Sequence, residues 1–109
     1  MADLYLADKA AYDAALEATK NGGKPLVIDF TASWCPPCQM IGPKYESKVA
    51  EYTELVMKKV DVDANSDAAR AAGIQAMPTF KVYKNGEEAD MMRGANEAGL
   101  YELLDRAKA

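Results

Sequence analysis

The stretch WCPPC, residues 34–38, holds the only two cysteines of the chain, three positions apart with two prolines between them. A thiol pair at this spacing can be a structural staple, half of a metal site, or a dithiol that opens and closes during a reaction. The inventory narrows the choice. With no histidine and no third cysteine, Ser–His and Cys–His nucleophiles are excluded, and a zinc site built mainly from Cys and His cannot be assembled within one chain. A zinc site shared between two chains has nothing specific in its favour. As a staple the pair would close a four-residue loop for about 2 kcal/mol, near the least a disulfide contributes. It would also tie together residues that one helical turn already holds.

The position favours reaction. Cys35 follows an apolar, strand-like run and stands where a helix begins. Unpaired backbone N–H groups and the positive end of the helix dipole favour a thiolate there. With Cys35 as N-cap, Pro36 is N1, Pro37 is N2 and Cys38 is N3, on the same helix face as Cys35. Two prolines delete two donors and leave the Cys38 N–H as the obvious one for the sulfur. Cys35 then reads as the exposed attacking thiol and Cys38, one turn deeper, as the resolving thiol.

Asp29 is the second chemical signal, a lone carboxylate inside LVIDF. Burial without a partner raises a carboxyl pKa toward neutrality. Such a group can exchange a proton with Cys38. The plainer alternative is a partly solvated strand-end aspartate, or one paired with a lysine such as Lys59. Met77-Pro78, at the start of a later strand, marks a turn, an edge or a cis peptide, and the residues alone favour trans.

These groups need elements to hold them. Leu4, Tyr5 and Leu6 suggest a short first strand. Asp8 reads as the N-cap of a helix burying Tyr12, Ala15, Leu16 and Thr19, closed by Asn21-Gly22-Gly23. PLVIDFTA reads as a strand buried on both faces. A helix from WCPPC to about Tyr52 carries Met40, Ile41, Tyr45 and Val49, with Pro43 expected to kink it. A strand over about 55–62, a helix over about 66–72 ending at Gly73, and a hairpin of residues 79–83 and 88–93 about Lys84-Asn85-Gly86-Glu87 follow. A last helix buries Leu100, Leu103, Leu104 and Ala107. The order β-α-β-α-β-α-β-β-α predicts an α/β fold, a mixed five-stranded sheet with helices on both faces.

Composition sets the outer limits. The chain has 109 residues, half of them hydrophobic, which suits a single domain over 1–109 with its own core. Seventeen acidic and 13 basic residues give a net charge of −4, without the basic patch of a nucleic-acid binder. No apolar run approaches the ~20 residues of a membrane span. Asp3 and Asp8 stand where a secretory signal has a basic region and an apolar run, so a cytoplasmic protein is expected.

VIDFTASWCPPCQMIGP, KKVDVDAN, AGIQAMPTFKVYKNGE and RGAN, in this order and spacing, resemble the thioredoxin family, and the match covers nearly the whole chain. It looks best to cytosolic eukaryotic-type members. The resemblance implies the thioredoxin fold, a β-sheet flanked by four helices, and a protein-disulfide reductase. It implies Cys35 as attacking thiol, Cys38 as resolving thiol and Asp29 as the buried acid/base. It also implies a cis peptide before Pro78 and an extended substrate segment beside Trp34, Met77 and Gly94, with backbone bonds to the residue before the proline. Pro36, Pro37 and Lys59 are expected to tune the site. No cofactor is expected beyond the Cys35–Cys38 disulfide. The partners implied are disulfide-containing proteins and a thioredoxin reductase or other dithiol reductant. Ala76 stands where some animal relatives carry an additional cysteine, and a monomer is expected.

Two departures stand out. The family's usual Gly-Pro is Pro-Pro here, a pair familiar from longer tryparedoxins, and Gln39 replaces a common basic residue. Rival readings are an oxidase or isomerase-like domain running in reverse, a tryparedoxin-like electron carrier, and a redox-switched binding module.

Overall fold

In the computed structural model, which describes residues 3–109, the run Leu26–Thr31 forms strand β1 and is buried at every position. It is an interior strand, covered on both faces. β2 (Val56–Asp61) pairs with it in parallel and β3 (Thr79–Lys84) antiparallel, while β4 (Glu87–Arg93) adds antiparallel to β3. The resulting order is β2-β1-β3-β4. The hairpin turn uses Asn85 at φ 54° and Gly86 at φ 82°, the left-handed backbone that an Asn-Gly turn supplies at low cost.

Four helices cover the sheet: α1 (Lys9–Glu17), α2 (Pro36–Ser47), α3 (Ser66–Ala71) and α4 (Glu97–Lys108). The two-residue period of β1 separates the core into halves. Leu26, Ile28 and Phe30 pack with Tyr12 of α1 and Ala68 of α3. Val27 packs with Ile41 and Tyr45 of α2 and Leu100, Leu103 and Leu104 of α4. Asp29 shares the face of Val27, so its carboxyl is directed toward the layer that contains α2.

Three expectations require correction. Leu4–Leu6 is not a fifth strand and the sheet has four, because Tyr5 makes only an isolated parallel bridge to Lys59. Asp8 caps α1 two residues after Leu6, with its Oδ1 accepting from Ala11 N at 2.8 Å, so no ladder can extend. α2 runs unbroken through Pro43 but ends at Ser47 rather than near Tyr52. Beyond it Lys48 N and Val49 N bond to Tyr45 O and Glu46 O, three residues back, the tighter winding common at helix ends. Met40 is exposed rather than part of the core.

Asn65 ties the amino-terminal segment to the rest. It is buried, donates from Nδ2 to Leu6 O at 3.0 Å, and caps α3 through Ala68 N. Replacing it removes a cap and orphans a carbonyl. Asn65→Ala is expected to cost about 1–3 kcal/mol, read from the urea midpoint of unfolding.

Candidate active site

The chain leaves β1 at Thr31, crosses Ala32–Trp34 and enters α2 at Pro36. Cys35 is the N-cap, in extended conformation (φ −100°, ψ 106°), with Pro36 and Pro37 at N1 and N2. The Cys38 N–H donates to Cys35 Sγ at 3.3 Å. This is the one amide of the first turn that the prolines leave aimed at the sulfur. Cys35 and Cys38 are joined as a disulfide, Cα atoms 5.3 Å apart.

In this form the pair is nearly sealed. Cys35 is 4% exposed and Cys38 2%, which corrects the expectation of an open first thiol. Bonding turns Cys35 Sγ toward Cys38, and Ala32, Val62 and Met77 pack around both. The small remaining surface is larger at Cys35.

Of the other predicted residues, Met77 packs directly on the pair. The Met77–Pro78 peptide is cis, and Met77 O lies 3.8 Å from Cys35 Sγ. Gly94 N donates to Pro78 O at 2.9 Å. Its φ of 92° demands glycine as a turn residue, and nothing lies within 4 Å of where a Cβ would stand. Trp34 is 63% exposed beside the pair. Its Nε1 donates to Asp63 Oδ2 at 2.7 Å, so the indole is tethered. Gln39 Nε2 donates to Ala32 O at 3.0 Å and braces the loop entering α2.

Asp29 is 1% exposed, and neither carboxyl oxygen has a hydrogen-bond partner. Burial pushes its pKa up to about 7; the Lys59 charge opposes the rise and the Glu46 charge adds to it. Lys59 is the register partner of Asp29 across β1 and β2, yet its Nζ donates to Glu46 Oε2 at 2.6 Å. The alternative of an Asp29–Lys59 pair is therefore not what forms. Nearby, Tyr45 is fully buried, its hydroxyl 3.0 Å from Val27 O and 2.8 Å from Lys58 O. Its pKa is raised by burial and then by the Asp29 charge.

Glu46 and Asp63 escaped the sequence reading. Asp63 lies within VDVDAN, but nothing local couples it to a tryptophan 29 positions earlier. Glu46 falls eight positions after Cys38, on the same helix face, a periodicity that could have drawn attention to it. Among the described residues, no three acidic or cysteine side chains converge as a metal-ligand set.

A model of the Thioredoxin family matches residues 4–106 of this sequence. The chain belongs to the thioredoxin family. It is 51% identical over 105 residues to a thioredoxin of Geodia cydonium, covering 95% of this chain and 97% of the relative. An H-type thioredoxin of Chlamydomonas reinhardtii is 47% identical over 107 residues, 97% of this chain and 95% of its own. The X-ray structure of Fasciola hepatica thioredoxin superposes with a TM-score of 0.88 at 42% identity, covering 94% of this chain and 97% of that one. The fold is thus the thioredoxin fold with a four-stranded mixed sheet and four helices. The chain is a thiol–disulfide oxidoreductase whose redox group is the Cys35–Cys38 disulfide.

Two tests follow from this thioredoxin site. The Asp29 pKa is about 7 in the folded protein against 3.8 in the reference state. The folded state therefore holds the extra proton between these values, and stability falls as pH rises from about 4 to 7. Asp29→Asn is expected to stabilise the oxidised protein by up to about 4 kcal/mol at pH 8 and by much less at pH 4, as measured by urea unfolding at both. Asp63→Ala should free the single tryptophan, and the fluorescence anisotropy of Trp34 should fall while the far-UV spectrum is unchanged.

Proposed function

We propose that this member of the thioredoxin family reduces protein disulfides, with Cys35 as nucleophile, Cys38 as resolving thiol and Asp29 as the base for Cys38. The observation that carries this reading is the Cys35 sulfur in the N-cap position of α2, accepting the Cys38 N–H. That donor and the helix dipole favour the thiolate once the disulfide is opened. In the first step Cys35 thiolate attacks one sulfur of the substrate disulfide. A mixed disulfide forms and one substrate thiolate departs, taking a proton from solvent. In the second step Cys38 yields its proton to the Asp29 carboxylate and attacks Cys35 Sγ. The second substrate sulfur leaves as a thiolate and takes up the proton that Asp29 or solvent returns, and Cys35–Cys38 closes. Two electrons and two protons have passed to the substrate.

Asp29 suits the second step because a pKa of about 7 leaves it about half ionised at neutral pH, near the optimum for a group that must accept a proton and then return it. Trp34, Met77, Pro78 and Gly94 form the rim that receives an extended substrate segment, and Pro36 and Pro37 tune Cys35 by withholding two amides. The partners are disulfide-containing proteins, and a thioredoxin reductase or another dithiol restores the reduced form in a reducing compartment, the cytoplasm. The protein works in electron transport as a single monomeric domain without a bound cofactor. No helix among the described residues is long and apolar enough to cross a membrane.

Cys35→Ser is expected to reduce insulin, with dithiothreitol as reductant, at the uncatalysed rate only, and full activity in that variant would refute the mechanism. Cys38→Ser should accumulate mixed disulfides visible by mass spectrometry. The wild-type rate of mixed-disulfide resolution should rise with pH through about 7 as Asp29 ionises. Asp29→Asn should lose this inflection and slow the step by about 10²-fold, the lower end for a general base, in a single-turnover measurement.

A further inference from the structure

Lys59 lies opposite Asp29 in the parallel register of β1 and β2, where an ammonium would ordinarily be claimed by a buried carboxylate. It is claimed elsewhere. Its Nζ donates to Glu46 Oε2 at 2.6 Å, with Lys59 7% and Glu46 39% exposed, while both Asp29 oxygens stay unpartnered. Gly42 lies against this pair, at a distance that a Cβ would fill as ordinary contact. A Cβ there would stand 3.6 Å from Lys59 Nζ and 3.9 Å from Glu46 Oε2. Cys38, Gly42 and Glu46, each four residues apart, share one face of α2. The charged and titratable groups that bear on Asp29 are Lys59 from β2 and Glu46 and Tyr45 from α2. The Tyr45 hydroxyl is already engaged by Val27 O and Lys58 O. β3 places Phe80 beside Asp29 and adds no charge.

We propose that Glu46 is a positioning residue that sets the proton affinity of Asp29 by holding the Lys59 ammonium away from it. The physical reason is competition for one cation. Glu46 is partly solvated, so pairing with it desolvates fewer charges than pairing with Asp29 would. An ammonium bonded to Asp29 would favour its ionised form and drive its pKa down, and a carboxylate of low proton affinity is a poor base for a thiol. By capturing Lys59, Glu46 leaves Asp29 titrating near neutrality. The inference rests on the reading of Asp29 as the base for Cys38, but its test separates the two.

The experiment follows the Asp29 carboxyl directly, by carbon-13 NMR titration of the oxidised protein. It compares wild type, Glu46→Gln, Lys59→Met and the double variant. Glu46 is exposed enough for Gln to be accommodated. Glu46→Gln is expected to lower the Asp29 titration midpoint by about 1 pH unit or more, the usual effect of a newly adjacent opposite charge. In the Lys59→Met background the same change should move it by less than half as much. An unmoved midpoint, or an equal fall with and without Lys59, overturns the proposal. Mixed-disulfide resolution is then measured against pH in wild type and Glu46→Gln. A kinetic inflection that falls together with the carboxyl midpoint supports both readings. A carboxyl midpoint that falls while the kinetic inflection stays in place supports the role of Glu46 and removes Asp29 as the base for Cys38.

Discussion

A helix presents its first amide donors unpaired, and at the start of α2 the acceptor for the donor that remains is a sulfur. The N-cap place that Ser, Thr, Asp or Asn usually occupies belongs to Cys35. The prolines at N1 and N2 bring no N–H groups, so the Cys38 amide makes this contact alone. The rest of the site depends on that junction. It holds Cys35 Sγ against the Cys38 amide, brings Cys38 within disulfide reach, and places both beside Met77.

The junction holds because β1 is immobilised beneath it. Val27 and its neighbours on α2 and α4 bury a continuous apolar layer, and Leu26, Ile28 and Phe30 do the same on the opposite face. Asp29 sits within this frame without a hydrogen bond. A buried, unpartnered carboxylate works against folding at neutral and higher pH. The surrounding core offsets that cost, and the proposed return is a proton acceptor of near-neutral pKa next to the thiol chemistry. Local instability at a reactive group, compensated by packing elsewhere, is a common trade in active sites.

Legibility followed the range of the interaction. The capping of α1 by Asp8, the Asn85-Gly86 turn, the burial of LVIDFT and the N-cap place of Cys35 were all readable, because each depends on residues within one turn or one strand. The failures were of a different kind. Leu4–Leu6 has strand composition, but a ladder also needs room to extend, and α1 begins too soon. Met40 fits the helical stripe, yet no packed layer covers it. The burial of Cys35 depends on Val62 and Met77, which arrive from distant loops. Asp63 and Glu46 are ordinary acidic residues in sequence and acquire meaning only from Trp34 and Lys59.

By itself, then, the sequence determined the dithiol chemistry. Cysteine spacing, the absence of histidine, and a helix start after a buried strand are properties of type and order, and they leave few reactions open. The tertiary structure decided which charges meet. Whether Lys59 serves Asp29 or Glu46 depends on the strand register and on how α2 lies over β2. Electrostatic strength varies with distance and burial, and neither is defined until the chain has folded.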